Sequence, residues 1–212
     1  MSSTEERRPW LAGLEALAIF AAIMLYIWWI RFRYPYSWIA ILIVLVASHV
    51  ARRETFARLG FRWDGTARSF ADLSAPLTLV ALVILAAGFL CRTMRNVSWD
   101  NGFSSLAVYF AWGLFQQYLL NGYFVNRLPS FLGDETRVPL LAATLFSLAH
   151  LPNWFLMLVT FAGGYVCARI YLSYRNLYFL GVAHGIVGFL IYLTVPDTVS
   201  HHMYVGPKWF SV

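Results

Sequence analysis

The chain has 212 residues, of which 60% are hydrophobic and only 12% are charged. Soluble domains carry about 25% charged and about 45–50% apolar residues, so the composition excludes a soluble protein and predicts an integral membrane protein. The net charge of +6 comes from arginines in short connectors between apolar runs, a pattern that orients membrane proteins and does not predict nucleic-acid binding. We expect one all-α domain over residues 1–212, a polytopic bundle of about seven transmembrane helices.

Apolar segments follow one another along the chain and predict its membrane spans. Their approximate bounds are residues 11–30, 37–50, 75–91, 104–126, 138–150, 153–172 and 177–194. Residues 51–73 set Phe56, Leu59 and Phe61 among arginines, which predicts an amphipathic segment at the membrane surface. Residues 195–212 form an aromatic, basic tail, which we expect to rest at the interface.

Basic residues are distributed unevenly between the two sides of this arrangement. If the N-terminus is cytoplasmic, Arg7, Arg8 and most of the sixteen Lys and Arg residues lie in inner connectors. The outer side then holds only Arg31, Arg33, Arg92, Arg95 and Lys208. The positive-inside rule therefore predicts a cytoplasmic N-terminus, a cytoplasmic segment at residues 51–73 and an extracytoplasmic tail.

Five polar side chains fall inside the predicted spans at similar depths, counted at 1.5 Å per helical residue. They are Gln116, Gln117, Asn121, His150 and His184. Gln117 and Asn121 are four residues apart and share a helix face. Polar groups in a bilayer are costly, so each is a candidate functional group. The same groups could instead join helices through hydrogen bonds worth roughly 0.6 kcal/mol each, and the pattern alone leaves both interpretations open.

Other titratable residues receive less weight. Glu15 lies near the start of the first span, where we expect solvation or a bond between helices. His49, His201 and His202 lie near span ends or in the tail, and the sequence assigns them no chemistry. The two cysteines are far apart along the chain and predict neither a disulfide framework nor a metal site.

The order and spacing of these residues resemble the CPBP family, the CAAX-processing and bacteriocin-processing intramembrane glutamic proteases, also called the Abi family. That family carries Glu-Glu-x-x-x-Arg on one span, Phe-x-x-x-His at the end of the next and His-x-x-x-Asn/Asp on a later one. Here the first motif aligns with the degenerate Gln116-Gln117-Tyr118-Leu119-Leu120-Asn121. The second, from Phe146 to His150, is intact, and the third, from His184 to Gly188, keeps His and lacks Asn. The resemblance covers residues 104–190.

The resemblance implies a water-activating site for peptide hydrolysis. It puts Gln116 and Gln117 at the acid/base positions, His150 beside the water and His184 at the oxyanion. A carboxamide can orient a water but has no protonation equilibrium near neutral pH, so the general base of the family is absent. Asn121 replaces the arginine that would balance a glutamate, and these substitutions together predict a neutral, polar site. Two histidines are too few ligands to predict a metal or haem, and we expect no cofactor.

Three functions fit this pattern. The first is a non-hydrolytic CPBP homologue, a pseudoprotease that binds a transmembrane or prenylated peptide or a lipid, or that serves as a subunit of a membrane complex. The second is an active intramembrane endopeptidase that uses His150 and His184. The third is a lipid- or isoprenoid-handling enzyme or a transporter. In each case the expected location is a bacterial inner membrane, with membrane lipids as partners and no nucleic acid.

Overall fold

The computed structural model describes residues 9–132 and 136–211, and the regular elements of these ranges are all helical. The first helical run is α1 (Pro9–Leu25), which continues through a π-helix (Tyr26–Ile30) into α2 (Arg31–Arg33). The helices that follow are α3 (Trp38–Ala51), α4 (Thr66–Leu90), α5 (Trp99–Gln117) with a π-helix (Tyr118–Val125) and α6 (Asn126–Leu132) in direct continuation, α7 (Val138–Leu148), α8 (Trp154–Tyr174), α9 (Tyr178–Thr194) and α10 (Asp197–Ser200).

Each predicted span corresponds to one of these helical runs, and the predicted all-α polytopic fold is confirmed. Three helices are long and apolar enough to cross a membrane, namely Trp10–Arg33, Thr66–Leu90 and Trp154–Tyr174. Shorter apolar helices are Pro35–Ala51, Val138–Leu148 and Tyr178–Thr194. Many leucine, valine, phenylalanine and tryptophan side chains on the outer surface are exposed, as lipid contact requires.

The segment predicted to be amphipathic divides into two parts. Residues 52–65, here called the strap, form turns without a regular helix, and α4 begins at Thr66, nine residues before the expected start of the third span. The helix begins early because Ser69 and Leu73 are buried against the bundle, so its first two turns gain packing that the arginine-rich sequence does not reveal. Arg7 and Arg8, which contribute to the predicted orientation, lie outside the described residues.

The two ends of the bundle are closed by different segments. At one end, the strap carbonyl of Gly60 accepts a hydrogen bond from the Leu177 amide at the start of α9, at 2.9 Å. At the other, the tail amide of Gly206 donates to the carbonyl of Leu151 at 2.7 Å. We call these the strap end and the tail end. The tail is thus packed into the fold, although Phe210 remains exposed, and its resting at the membrane interface stays a prediction.

Helices α5 and α9 cross at glycines. A Cβ atom added to Gly113 would lie 2.8 Å from the carbonyl oxygen of Gly181 and 2.9 Å from the amide nitrogen of Gly185. A Cβ at Gly185 would lie 3.0 Å from the Tyr109 carbonyl oxygen. Small residues let helix backbones approach this closely in a membrane. The crossing therefore brings the last turn of α5 beside the middle of α9.

Gly113→Ala is expected to lower the free energy of unfolding by about 1–3 kcal/mol, because the new methyl group meets backbone atoms that cannot rotate away. Chemical denaturation of the detergent-solubilised protein measures this loss. The matched control is Gly163→Ala in α8, where an added Cβ meets no heavy atom within 4 Å. That control is expected to be neutral or stabilising by about 0.5–1 kcal/mol, and an equal loss in both variants would refute the close crossing.

Candidate functional site

The amide of Gln117 lies in a hydrogen-bonded chain between α5 and α9. The Asn121 Nδ2 group donates to Gln117 Oε1 at 2.6 Å, and Gln117 Nε2 is 3.0 Å from His184 Nδ1. Because an amide nitrogen can only donate, His184 Nδ1 accepts and the ring proton lies on Nε2. Gln117 is 1% exposed and Asn121 is fully buried. The chain is neutral from end to end, and it presents His184 Nε2–H as a donor.

His150 approaches this chain from the turn that follows α7. Its Nδ1 atom is 2.7 Å from the carbonyl oxygen of Phe146. A carbonyl can only accept, so Nδ1 carries the proton and Nε2 keeps a free lone pair. The Phe146 ring lies against both imidazoles, with ring centroids 5.0 Å from His150 and 5.9 Å from His184. The site thus combines one imidazole acceptor with one imidazole donor.

The tail holds the turn that carries His150. Asn153 is fully buried and caps α8, because its Oδ1 accepts from the Leu156 amide at 3.1 Å. Its Nδ2 donates to the tail carbonyls of Ser200 at 2.9 Å and Tyr204 at 3.0 Å. Helix α7 has 11 residues and is therefore about 16 Å long, too short to cross a bilayer. The buried Asn153 therefore ties this turn to the tail.

Two of the five predicted residues, Gln116 and Asn121, have polar atoms that form no hydrogen bond within the described part of the chain. Gln116 is half-buried and forms no hydrogen bond to another described residue. On the helix it is offset by about 100° from Gln117. Asn121 Oδ1 is buried without a hydrogen-bond partner in the described part of the chain. The structure therefore brings Gln117, Asn121, His150 and His184 together and leaves Gln116 beside them. Within the described ranges, no group of three metal-ligating residues is present.

A second polar cluster lies at the strap end, and sequence reasoning missed it. Arg127 binds Glu54 with two nitrogens, Nη1 to Oε1 at 2.5 Å and Nη2 to Oε2 at 2.8 Å. His49 Nδ1 is 2.6 Å from Glu54 Oε2, and His49 Nε2 is 2.7 Å from the Tyr118 hydroxyl. The side chains of Glu54 and Arg127 are only 1% and 3% exposed. His49, to which the sequence assigned no chemistry, is thus the centre of a buried network.

Glu15 extends this network to α1. It accepts hydrogen bonds from Arg52 Nη2 at 2.5 Å, from the Tyr123 hydroxyl at 3.1 Å and from Arg127 Nε at 3.3 Å, and it also binds Ser48. It therefore joins α1 to α3 and to the π-helix and α6. A carboxylate inside a span requires a cationic partner. Glu15 was therefore a signal in the sequence from which a buried arginine could have been predicted, although we expected solvation or a bond between helices.

The charge state of Glu54 follows from its surroundings. Burial alone would raise the pKa of Glu54, but hydrogen bonds from His49 and Arg127, together with the charge of Arg127, lower it to about 2. Glu54 is therefore a carboxylate at neutral pH. Its negative charge is balanced by Arg127 within the cluster at the strap end of the bundle.

The candidate site lies within a region that matches a known protein family. Residues 88–190 match the family model described as type II CAAX prenyl endopeptidase Rce1-like, and this region contains all five predicted residues. No curated protein and no solved structure matches the chain. The match confirms the resemblance drawn from the three motifs, and it identifies the helical fold as that of a polytopic membrane protein. Residues 88–190 of this integral membrane protein are therefore similar to the CAAX-protease-like proteins of the CPBP family.

Proposed function

We propose that the protein is a non-hydrolytic member of its family, which binds a membrane-embedded ligand at the site between α5, α7 and α9. The observation that carries this proposal is the neutral chain from Asn121 through Gln117 to His184. Both hydrogen-bonding groups of the Gln117 amide are engaged within the protein. This amide therefore holds His184 in one orientation and has no capacity to take a proton from water.

The nearby carboxylates do not replace the missing base. Glu54 is bound by Arg127 and His49, and Glu15 is bound by Arg52 and Ser48, all within the strap-end cluster. A carboxylate held by an arginine is stabilised in its charged form and is a weak base. The chemistry at the candidate site therefore falls to neutral amides and imidazoles.

The polar groups of the site suit a neutral ligand with both a donor and an acceptor. His184 Nε2–H can donate to a carbonyl oxygen, and His150 Nε2 can accept from an N–H group. An intact peptide bond offers this pair, and the half-buried Gln116 amide adds a further adaptable group. With apolar helices around the site, we propose that the ligand is a transmembrane or prenylated peptide. Another membrane subunit would be bound through the same imidazole and amide groups.

The alternative is an active endopeptidase, and the lone pair on His150 Nε2 favours it. A neutral imidazole can act as a general base near neutral pH. In this alternative His150 takes a proton from water, and His184 donates to the developing oxyanion. Loss of the carboxylates would then slow hydrolysis without abolishing it.

Purified protein in lipid nanodiscs distinguishes these functions when it is incubated with transmembrane and prenylated peptides. We expect binding without cleavage for the natural sequence. We expect hydrolysis to emerge only in the triple variant Gln116→Glu, Gln117→Glu and Asn121→Arg, which returns a base and its counter-charge. Mass spectrometry detects the products. Cleavage by the natural protein that disappears in His150→Ala would overturn the proposal and establish the alternative.

A further inference from the structure

The strap is attached to the bundle at several points, which include the ion pair of Arg52 with Glu15 and a hydrogen bond from Asn126 to the Arg58 carbonyl. Its Glu54 binds Arg127, its Gly60 carbonyl accepts from Leu177, and its Arg62 carbonyl accepts from the amide of Asn176. The attachment at Gly60 is tight, because a Cβ atom added to Gly60 would lie 2.7 Å from the Tyr171 ring. The strap therefore covers the ends of the helices that carry the candidate site.

Aromatic contacts also hold the strap against the bundle. The Phe61 ring of the strap lies 5.9 Å from the ring of Tyr118 and 6.2 Å from that of Tyr178. Tyr118 directly follows Gln117 in the chain and begins the π-helix that contains Asn121. The strap thus rests on the residue next to the candidate site.

The pocket around Glu54 is built by the helices and not by the strap. Arg127 belongs to α6, His49 and Ser48 belong to α3, and Arg127 Nη2 also donates to Ser48 Oγ at 3.0 Å. Together these groups offer two guanidinium N–H groups and one imidazole N–H to a single carboxylate. Such a bidentate arrangement is typical of a carboxylate-binding site. Glu54 is the strap residue that fills it.

Other features of the strap favour movement of the strap alone. It contains no regular helix, and its Phe56 and Trp63 side chains are exposed, whereas Leu59 is buried. The core residues beneath it, among them Leu120, Tyr123 and Tyr171, pack against other helices. Segments with few buried side chains of their own open at lower cost than the core.

We propose that the strap is a latched cover, in which Glu54 acts as an internal carboxylate ligand of a pocket formed by His49 and Arg127. Withdrawal of Glu54 removes the charged attachment, so the strap opens more readily while the helices stay packed. The pocket then stands open to another carboxylate. This device operates whether the neighbouring site cuts its ligand or only binds it.

A thiol placed under the strap measures the latch. Leu59→Cys in a Cys91→Ser background provides a buried strap thiol, and the natural Cys167 in the core reports opening of the whole fold. Maleimide labelling in detergent, followed by mass spectrometry, gives both rates. We expect Glu54→Gln to raise the labelling rate at position 59 on the order of tenfold, because charge-assisted hydrogen bonds are lost. The rate at Cys167 is expected to stay well below the rate at position 59 in both proteins, because opening of the strap exposes only position 59.

The matched control is Asp64→Asn, which removes an acidic residue of the same strap from an exposed pair with Arg62. This control is expected to leave both rates unchanged. An unchanged rate at position 59 in Glu54→Gln would overturn the latch. Equal labelling rates at position 59 and at Cys167 would also overturn it, because the strap would then open only together with the whole fold. If Glu54→Gln does not fold, Glu54→Asp keeps the charge but shortens the side chain, and it must raise the rate at position 59 for the latch to stand.

A second experiment tests the pocket itself. Glu54→Ala leaves the pocket without its carboxylate, and acetate can supply one. We expect sodium acetate to raise the Tm of Glu54→Ala above its value in sodium chloride of the same ionic strength, and to leave the protein with its natural Glu54 unaffected. The strap thiol is expected to label rapidly in both salts, since acetate is not joined to the strap. Equal Tm values in the two salts would overturn the assignment of a carboxylate pocket.

Discussion

Replacing Arg127 with methionine is expected to lower the free energy of unfolding at neutral pH by about 3–5 kcal/mol. Methionine keeps much of the side-chain length but removes the charge, so the buried Glu54 carboxylate loses its main partner. Glu15 keeps Arg52 and is affected less. Chemical denaturation in detergent at pH 7 measures the loss. Arg62→Met is the control, because Arg62 pairs with Asp64 at the surface and its removal is expected to cost less than about 1 kcal/mol.

The same pair predicts how stability depends on pH. The pKa of Glu54 in the folded protein is lowered to about 2, whereas the pKa of a glutamate in an unfolded chain is about 4.3. A carboxyl group with a lowered pKa stabilises the fold above its unfolded pKa, and this stabilisation is lost as the pH falls through the folded value. The protein should therefore lose about 3 kcal/mol between about pH 4.5 and pH 2 from this group.

The destabilisation caused by Arg127→Met should become smaller as the pH falls. Without the guanidinium, burial still raises the pKa of Glu54 and His49 is its remaining partner, so protonation relieves part of an uncompensated charge. The difference in unfolding free energy between the two proteins should therefore shrink as the pH falls from 7 towards 3. A difference that stays constant over this range would show that Arg127 contributes through packing alone, and a loss no larger than that of Arg62→Met would contradict the buried pair.

The order of the helices could be predicted from the sequence, because long apolar runs separated by arginines allow few other arrangements. The start of α4 could not, because Ser69 and Leu73 belong to an arginine-rich segment and become buried only by packing against other helices. Local pattern carries no information about which surface a helix start will meet. The tail shows the same limit, since its contact with Leu151 and Asn153 depends on the short α7 that leaves space for it.

At the candidate site, the spacing of residues predicted contacts within one helix, but the sequence did not predict contacts between helices. The four-residue interval between Gln117 and Asn121 predicts the shared face on which they bind each other. The sequence did not distinguish Gln116 from Gln117, although only Gln117 contacts His184. The strap-end cluster was missed because Glu54 and Arg127 lie 73 positions apart. A charge near a predicted span end looks solvated until the fold brings its partner to it.

Gln117→Glu and Asn121→Arg are expected to be damaging separately and much less so together. Gln117 and Asn121 are almost fully buried, so either single variant puts an unpaired charge inside the bundle, at a cost of about 3–5 kcal/mol. In the double variant the two new side chains lie one helical turn apart, where the present amides bind at 2.6 Å. A double-mutant cycle of unfolding free energies should therefore give a favourable coupling of about 2 kcal/mol.

The control cycle pairs Asn121→Arg with Gln116→Glu. Gln116 points away from Gln117 and has no hydrogen bond to Asn121, so its carboxylate should couple to the arginine by less than about 0.5 kcal/mol. Strong coupling at position 117 and weak coupling at position 116 would mean that the amides occupy the geometry of an ion pair. In that geometry a neutral pair and an ion pair both fit, whereas either charge alone is costly. Additive losses in the first cycle would instead mean that positions 117 and 121 do not interact, which would contradict the hydrogen-bonded chain to His184.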